Sequence, residues 1–346
     1  MRLLVVHTWL RGNLGDVLQA SVLLRALREL RPEVLDLAGY PKVPRPGAAE
    51  LVALADRHVP EPFAWYWSFV PGLPRRLLIE PRWRAQREAL FRRYDAIISA
   101  PGPFLAEYDH RAPSALYDLA LAREIGLPFI LSSHSIGPLP DASVRGLAAA
   151  SVTVAREIST YEYLAARGVR SVQSADYAFL YPYSEHLGAG VARAPAEAPY
   201  RVVFMRSNNF GLDELERSDR SFRCGKNHFE LARDERLVLA TSDPKKDAAF
   251  LGKLAAKLGE RAVVCGSVPE LVRLIAGSTG VIADRYHPAI CGRALGKPVE
   301  VLVNREPHKM EGLKALLAQH DLPALQGLAR AGLDAVRAAL PPERNS

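Results

Sequence analysis

The sequence predicts an α/β fold made of two Rossmann-like domains, each a parallel sheet covered by helices, facing a common cleft. Three observations carry this expectation. Strand-like apolar runs alternate with helical patterns almost from end to end, one Gly-, Ala- and Pro-rich stretch interrupts the alternation, and 346 residues exceed what a single core usually serves.

The elements follow in order. Leu3 to His7 reads as a buried strand, and Val17, Ala20, Leu24 and Leu27 mark one face of a helix that stops before Pro32. Val34 to Leu37, Ala96 to Ser99, Phe129 to Ser132 and Val152 to Ala155 continue the strand series, with a helix over Ala115 to Ile125. Ser159 with Glu162 predicts a capping box, and Gly168 a stop, for the helix that comes next. The stretch HLGAGVARAPAEAP has no apolar period and predicts a linker over 186–199, between an N-terminal domain (1–185) and a C-terminal domain (200–346). In the second domain Arg201 to Met205, Arg236 to Ala240, Ala262 to Cys265, Val281 to Asp284 and Val299 to Val303 read as strands. Lys245 to Leu258, Pro269 to Ala276 and the segment after Pro288 read as helices. Two such units sharing a cleft describe a GT-B-like architecture, and an ordinary pair of doubly wound domains reads the same way.

Composition narrows the chemistry. Hydrophobic residues at 49% and charged residues at 24% are the balance of a globular protein, not a disordered one. A net charge of +7 favours anionic ligands. The arginines are scattered through helical patterns and no nucleic-acid module appears, so phosphorylated small molecules are the expected partners and nucleic acid is not. Cys224, Cys265 and Cys291 are odd in number, widely spaced and without CxxC pairing, which suggests neither a disulfide framework nor a metal site and fits a reducing cytoplasm. No apolar run of about 18 residues predicts a membrane span. Residues 59–94 depart from the alternation and collect Trp65, Trp67 and Trp83 with Arg75, Arg76, Arg82, Arg84, Arg87, Arg92 and Arg93. Two readings stand: a basic, Trp-bearing surface for peripheral contact with a membrane or an anionic acceptor, and an insertion whose tryptophans pack on the core.

Candidate site residues lie where strands end. The turn Gly12-Asn13-Leu14-Gly15-Asp16 joins the first strand to the first helix, a place where backbone N–H groups receive an anion, although it is not a GxGxxG fingerprint. Asp16 alternatively only caps that helix. Gly102, in Pro101-Gly102-Pro103, and His134, in Ser133-His134-Ser135-Ile136-Gly137-Pro138, belong to loops at the carboxyl ends of further strands. The strongest local signal is Asp284-Arg285-Tyr286-His287-Pro288. It sets a planar cation and a group that titrates near neutrality at a helix amino end, which suits acid catalysis on a phosphorylated acid. The plainer alternative is a capping His287 and an Arg285 paired with a carboxylate.

Taken together, the Gly12 to Asp16 turn, Ser135-Ile136-Gly137-Pro138, Arg156-Glu157 with Ser159, Asp176-Tyr177-Ala178-Phe179 and Arg285-Tyr286-His287 through Gly296-Lys297-Pro298 resemble, in order, the motifs of the polysaccharide pyruvyl transferases. The resemblance implies phosphoenolpyruvate as donor with no further cofactor, and a glycan, glycolipid or lipid-linked saccharide as acceptor. It also implies His287 as general acid with Arg285, and Arg156, Lys309, Arg285 and Gly137 as donor-binding residues. Asp16, His134 and Asp176 stay open as the base, and Asn13, Gly102, His134 and Asp176 as acceptor contacts. Where this chain has His134 the family usually has Gln, where it has Tyr286 the family has Leu, and Pro101-Gly102-Pro103 replaces a Gly-rich run. A nucleotide-sugar glycosyltransferase on the same scaffold and a non-catalytic anion-binding relative are the rival expectations.

Overall fold

The computed structural model describes residues 1–8, 13–36, 54–60, 80–107, 109, 112–187, 198–207, 209–303 and 307–342. The chain divides into two units, Met1–Arg11 with Gln19–Tyr177 and Pro323–Ser346, and Gly12–Leu18 with Ala178–Leu322.

The first unit is built on β1 (Leu3–Val6), β2 (Glu33–Asp36), β3 (Arg57–Pro60), β4 (Ala96–Ser99), β5 (Gly102–Leu105), β6 (Phe129–Ile136), β7 (Val152–Ala155) and β8 (Val172–Gln173). They form one parallel sheet in the order β3-β2-β1-β4-β6-β7-β8, with β5 beside β6. Strands β1 and β4 are apolar and buried at almost every position because helices cover both faces of the sheet. Those helices are α1 (Leu14–Ala26), α2 (Glu80–Phe91), α3 (Ala112–Glu124), α4 (Asp141–Leu147) and α5 (Ile158–Ala165). The chain winds outward from β1 to β3 and then returns to the other side at β4. This creates a switch point at the carboxyl ends of β1 and β4, where the Ala100 N–H donates to the Val6 carbonyl at 2.8 Å.

The second unit holds β9 (Tyr200–Phe204), an antiparallel sheet of β10 (Leu215–Ser218), β11 (Ser221–Cys224) and β12 (Asn227–Glu230), then β13 (Arg236–Thr241), β14 (Arg261–Val264), β15 (Gly280–Ala283) and β16 (Val299–Val301). Its parallel sheet has the order β14-β13-β9-β15-β16, so its own switch point lies between β9 and β15. Helices α6 (Pro244–Leu258), α7 (Val268–Gly277), α8 (Tyr286–Ala294) and α9 (Pro307–Gln319) complete it. Pro244 opens α6, and the Ser267 hydroxyl caps α7 by accepting from the Glu270 N–H at 3.4 Å.

The structure departs from the sequence reading in several places. The first unit ends at Tyr177 and regains the last helix, α10 (Leu322–Ala338), whereas the sequence divided the chain near 185 and gave 200–346 to one domain. The cause is local packing: at Gly332 an added Cβ would lie 2.3 Å from Ser174 Oγ, and Arg337 donates to the Ala26 carbonyl. Most of the predicted linker, 188–197, lies outside the described residues. Helix α5 starts at Ile158 with Glu157 as its extended N-cap and no side-chain cap bond, so Ser159 does not form the predicted box. The antiparallel sheet was not expected, since its strands carry only Leu215, Phe222 and Cys224 as buried apolar residues.

Of the basic segment at 59–94, Trp65, Trp67, Arg75 and Arg76 lie outside the described residues. Three of the others are anchored to the first unit. Trp83 packs on Tyr117 with ring centroids 4.4 Å apart, Arg84 pairs with Glu124, and Arg87 is buried against Asp118. No helix among the described residues is long and apolar enough to cross a membrane.

Candidate active-site residues

The sequence-predicted residues fall into two sets, one in each unit. In the second unit the carboxyl end of β15 delivers Asp284, Arg285, Tyr286 and His287 in succession. Asp284 is fully buried, and its carboxylate accepts from the Arg206 N–H and from Asn209 Nδ2, each at 3.0 Å. Burial pushes this carboxyl above its ordinary range, against the pull of Arg206, Asn209 and Arg285. Arg285 is the N-cap of α8; its guanidinium donates to Asp247 and lies 3.9 Å from Asp243. Asp247 also accepts from the Ser207 N–H and Thr241 Oγ1, each at 3.2 Å. The plainer reading of Arg285, a carboxylate partner, therefore holds in this structure. Its buried Nε has no hydrogen-bond partner among the described residues.

His287 is the second residue of α8 and only 5% exposed. Pro288 falls third in the helix, within the first turn, where its missing N–H costs nothing. Against the imidazole lies the turn that opens α1. Asn13 caps this helix, its Oδ1 accepting from the Gly15 N–H at 3.1 Å, and the Leu14 N–H donates to the Ser242 carbonyl at 3.0 Å. An added Cβ at Gly15 would lie 2.0 Å from His287 Nδ1, so only glycine permits this approach. The capping role considered for Asp16 belongs to Asn13. Asp16 is half-buried, and with Asp247 its charge adds to the burial that raises Asp243. Gly12 lies outside the described residues. Lys309, near the start of α9, holds its Nζ 5.1 Å from the centre of the Tyr286 ring.

The first unit holds Gly102, His134, Gly137, Arg156 and Asp176. Arg156 is completely buried: Nε donates to Ser135 Oγ at 2.7 Å and Glu157 Oε1 at 2.9 Å, and Nη1 to Gln19 Oε1 at 3.0 Å and Asp176 Oδ2 at 2.8 Å. Asp176 is thereby tied to Arg156, and Gly137 donates to the Leu105 carbonyl at 3.0 Å. His134 is likewise buried, with Nδ1 3.0 Å from the Gly102 carbonyl and Nε2 3.1 Å from Ser99 Oγ. Burial, aided by His7 and Arg156, pushes it down to about 3 against its bond to Gly102, so the ring is neutral and carries its proton on Nδ1.

Sequence reading missed Asp243 and Asp247, which brace Arg285, and Ser99 and Gln19, which hold His134 and Arg156. Asp243 before Pro244 was a readable helix-start signal. The others become partners only through the fold. All three cysteines are buried thiols, and among the described residues no group of His, Cys, Asp and Glu could hold a metal ion.

Two parallel-sheet units with polar and charged side chains gathered at their strand ends define a GT-B-like protein, and the comparisons agree. The chain resembles HepE of Anabaena, solved with UDP and glucose, at 13% identity and a TM-score of 0.55, covering 97% of this chain and 100% of that one. It resembles MnaA of S. aureus, solved with UDP, at 12% identity and a TM-score of 0.56, covering 97% and 88%. UDP-GlcNAc 2-epimerase from Neisseria meningitidis gives 11% identity and a TM-score of 0.52, covering 98% and 99%. At these identities the likeness is one of fold. No curated protein matches the sequence significantly. The sequence model of the polysaccharide pyruvyl transferases matches residues 13–305, and the chain belongs to that family of transferases.

Proposed function

We propose that this protein transfers the pyruvyl unit of phosphoenolpyruvate to two hydroxyls of a saccharide acceptor as a ketal, releasing phosphate. The observation that carries the reading is the family match, which runs through both units and includes the Asn13 turn and the Arg285–His287 segment.

The chemistry assigned to these residues follows from their positions. His287, as imidazolium, gives a proton to the methylene carbon of the enol ester, leaving an oxocarbenium-like centre at the neighbouring carbon. An acceptor hydroxyl attacks that centre, forming the first C–O bond and losing its proton to a base. The bond to phosphate then breaks, a second hydroxyl closes the ketal with its proton passing to the released phosphate, and cationic side chains stabilise that leaving phosphate. Lys309 and Arg285, whose Nε has no partner among the described residues, are the cations we assign to donor oxygens, while Arg156, fully buried against Glu157 and Asp176, braces the first unit. For the base we favour Asp16, which is half-buried, over His134 and Asp176, which are fully buried with their polar atoms engaged. A glycan, glycolipid or lipid-linked acceptor, met at the cytoplasmic face of a membrane, is part of the same proposal.

Thermal-shift titration separates this reading from nucleotide-sugar transfer on the same fold. Phosphoenolpyruvate should raise the melting temperature, since a ligand that binds only the folded state stabilises it. Stabilisation by UDP-glucose or UDP-GlcNAc with none by phosphoenolpyruvate would reverse the assignment.

A further inference from the structure

Four side chains that the proposed chemistry does not use form one continuous buried chain at the switch point of the first sheet. His7, just past β1, places Nε2 3.0 Å from Asp118 Oδ2 and Nδ1 2.8 Å from Ser99 Oγ. The Ser99 oxygen in turn lies 3.1 Å from His134 Nε2, and His134 Nδ1 lies 3.0 Å from the Gly102 carbonyl. No member is more than 2% exposed.

The hydrogens in this chain can be counted. A carbonyl only accepts, so His134 Nδ1 bears a proton. Asp118 receives Arg87 through Nε at 2.9 Å and through Nη2. Burial pushes its carboxyl up, but Arg87 and His7 hold it below the ordinary range. An ionised Asp118 also only accepts, so His7 Nε2 bears a proton. Ser99 then has one hydroxyl hydrogen for two ring nitrogens. With both rings neutral, one of the contacts at 2.8 and 3.1 Å would set lone pair against lone pair. A second proton on one ring removes the conflict. His134 faces no carboxylate and lies near Arg156 and His7, whereas His7 faces Asp118 directly, with the rings of Phe104 and Phe129 also against it. Charge balance agrees. The buried charged residues described in this unit are Arg87 and Arg156 against Asp118, Glu157 and Asp176, and a proton on His7 makes three of each sign.

We infer that His7 is a buried imidazolium and a positioning residue, its two N–H groups locking the carboxyl end of β1 to Ser99 of β4 and, through Ser99, to His134 of β6. These strands lead into the segments that carry Gly102, at the start of β5, and Gly137, just past β6, so the purpose of the lock rests on the proposed function, while the protonation does not. The backbone supports a clamped arrangement: His7 and Ser133 both adopt left-handed φ, 61° and 50°, which non-glycine residues rarely hold without surrounding constraint. His134 acts as a neutral relay with one donor and one acceptor. A glutamine amide offers the same pair, so Gln in place of His134 should satisfy the chain equally well.

Nitrogen-15 histidine NMR on the full chain tests this directly. At pH 7.5 His7 should show protons on both ring nitrogens and His134 on Nδ1 alone, and His134→Gln should leave the His7 signals in place. A bare ring nitrogen on His7 overturns the assignment whether or not the protein transfers pyruvate. For the positioning role, His7→Asn keeps a residue that tolerates left-handed φ but cannot bridge both partners. Amide exchange at Ala100, relative to Ile98 in the same sheet, should quicken by at least about tenfold in His7→Asn and stay unchanged in His134→Gln. Equal exchange in all three proteins would overturn positioning; should His7→Asn not fold, the wild-type and His134→Gln spectra still decide the protonation.

Discussion

Gly15 approaches His287 so closely that a methyl group in its place would stand 2.0 Å from the imidazole Nδ1 and 2.4 Å from Cγ. Two segments far apart in sequence, the turn opening α1 and the amino end of α8, are thus matched atom against atom. Gly15→Ala forces the ring to move. Overpacking of this kind costs about 1–3 kcal/mol, and a displacement of about 1 Å at a reacting group costs roughly 10²-fold in rate. Turnover measured on folded Gly15→Ala should fall by that order, while a rate near wild type would mean that the ring position is not what glycine protects.

Arg156 lies between Glu157 and Asp176, all three fully buried. Arg156→Ala leaves both carboxylates without their cation, a change that costs about 3–5 kcal/mol. Urea unfolding should register that loss. A loss under about 1 kcal/mol would show the network to be replaceable by water.

Lys309 rests over the Tyr286 ring at 5.1 Å. Tyr286→Phe keeps the ring face and should keep phosphoenolpyruvate affinity. Tyr286→Leu removes a contact of about 0.5–2 kcal/mol and should weaken donor binding by roughly 2- to 30-fold. Equal affinities in both variants would separate Lys309 positioning from Tyr286.

Asp118 gives the acid limb of stability. Its folded value lies below the ordinary 3.8, because Arg87 and His7 outweigh burial. The stabilisation is therefore complete above the unfolded value and is lost as pH falls through the folded one. Asp118→Asn should lower stability near neutrality and flatten its pH dependence below about pH 4. Parallel slopes for the two proteins in acid would contradict this.

Much of this was legible in the sequence, and the reasons are physical. Strands such as Leu3–Val6 are continuous apolar runs because helices cover both sheet faces, and the Arg285–His287 signal stood out because a proline and a strand end frame it. What escaped needs tertiary partners to acquire meaning. Gln19 sits within helix α1 and becomes an Arg156 ligand only when β7 is beside it. Arg87 looked like one of a surface cluster of arginines until Asp118 of α3 met it in the core. The antiparallel strands β10 to β12 bury few side chains each, so their pattern was too thin to read. Helix α10 was assigned to the wrong unit because a helix does not announce which sheet it will cover.

The central claim is transfer of pyruvate with His287 as the acid. Incubation of the protein with carbon-14 phosphoenolpyruvate and a glycan- and glycolipid-containing extract, beside His287→Gln, tests it most directly. The wild-type protein should give acid-labile labelled product and equimolar phosphate. His287→Gln should still bind phosphoenolpyruvate but turn over roughly 10²- to 10⁴-fold more slowly. Undiminished transfer by His287→Gln, or retention of all label in phosphoenolpyruvate while a nucleotide sugar is consumed, would contradict it.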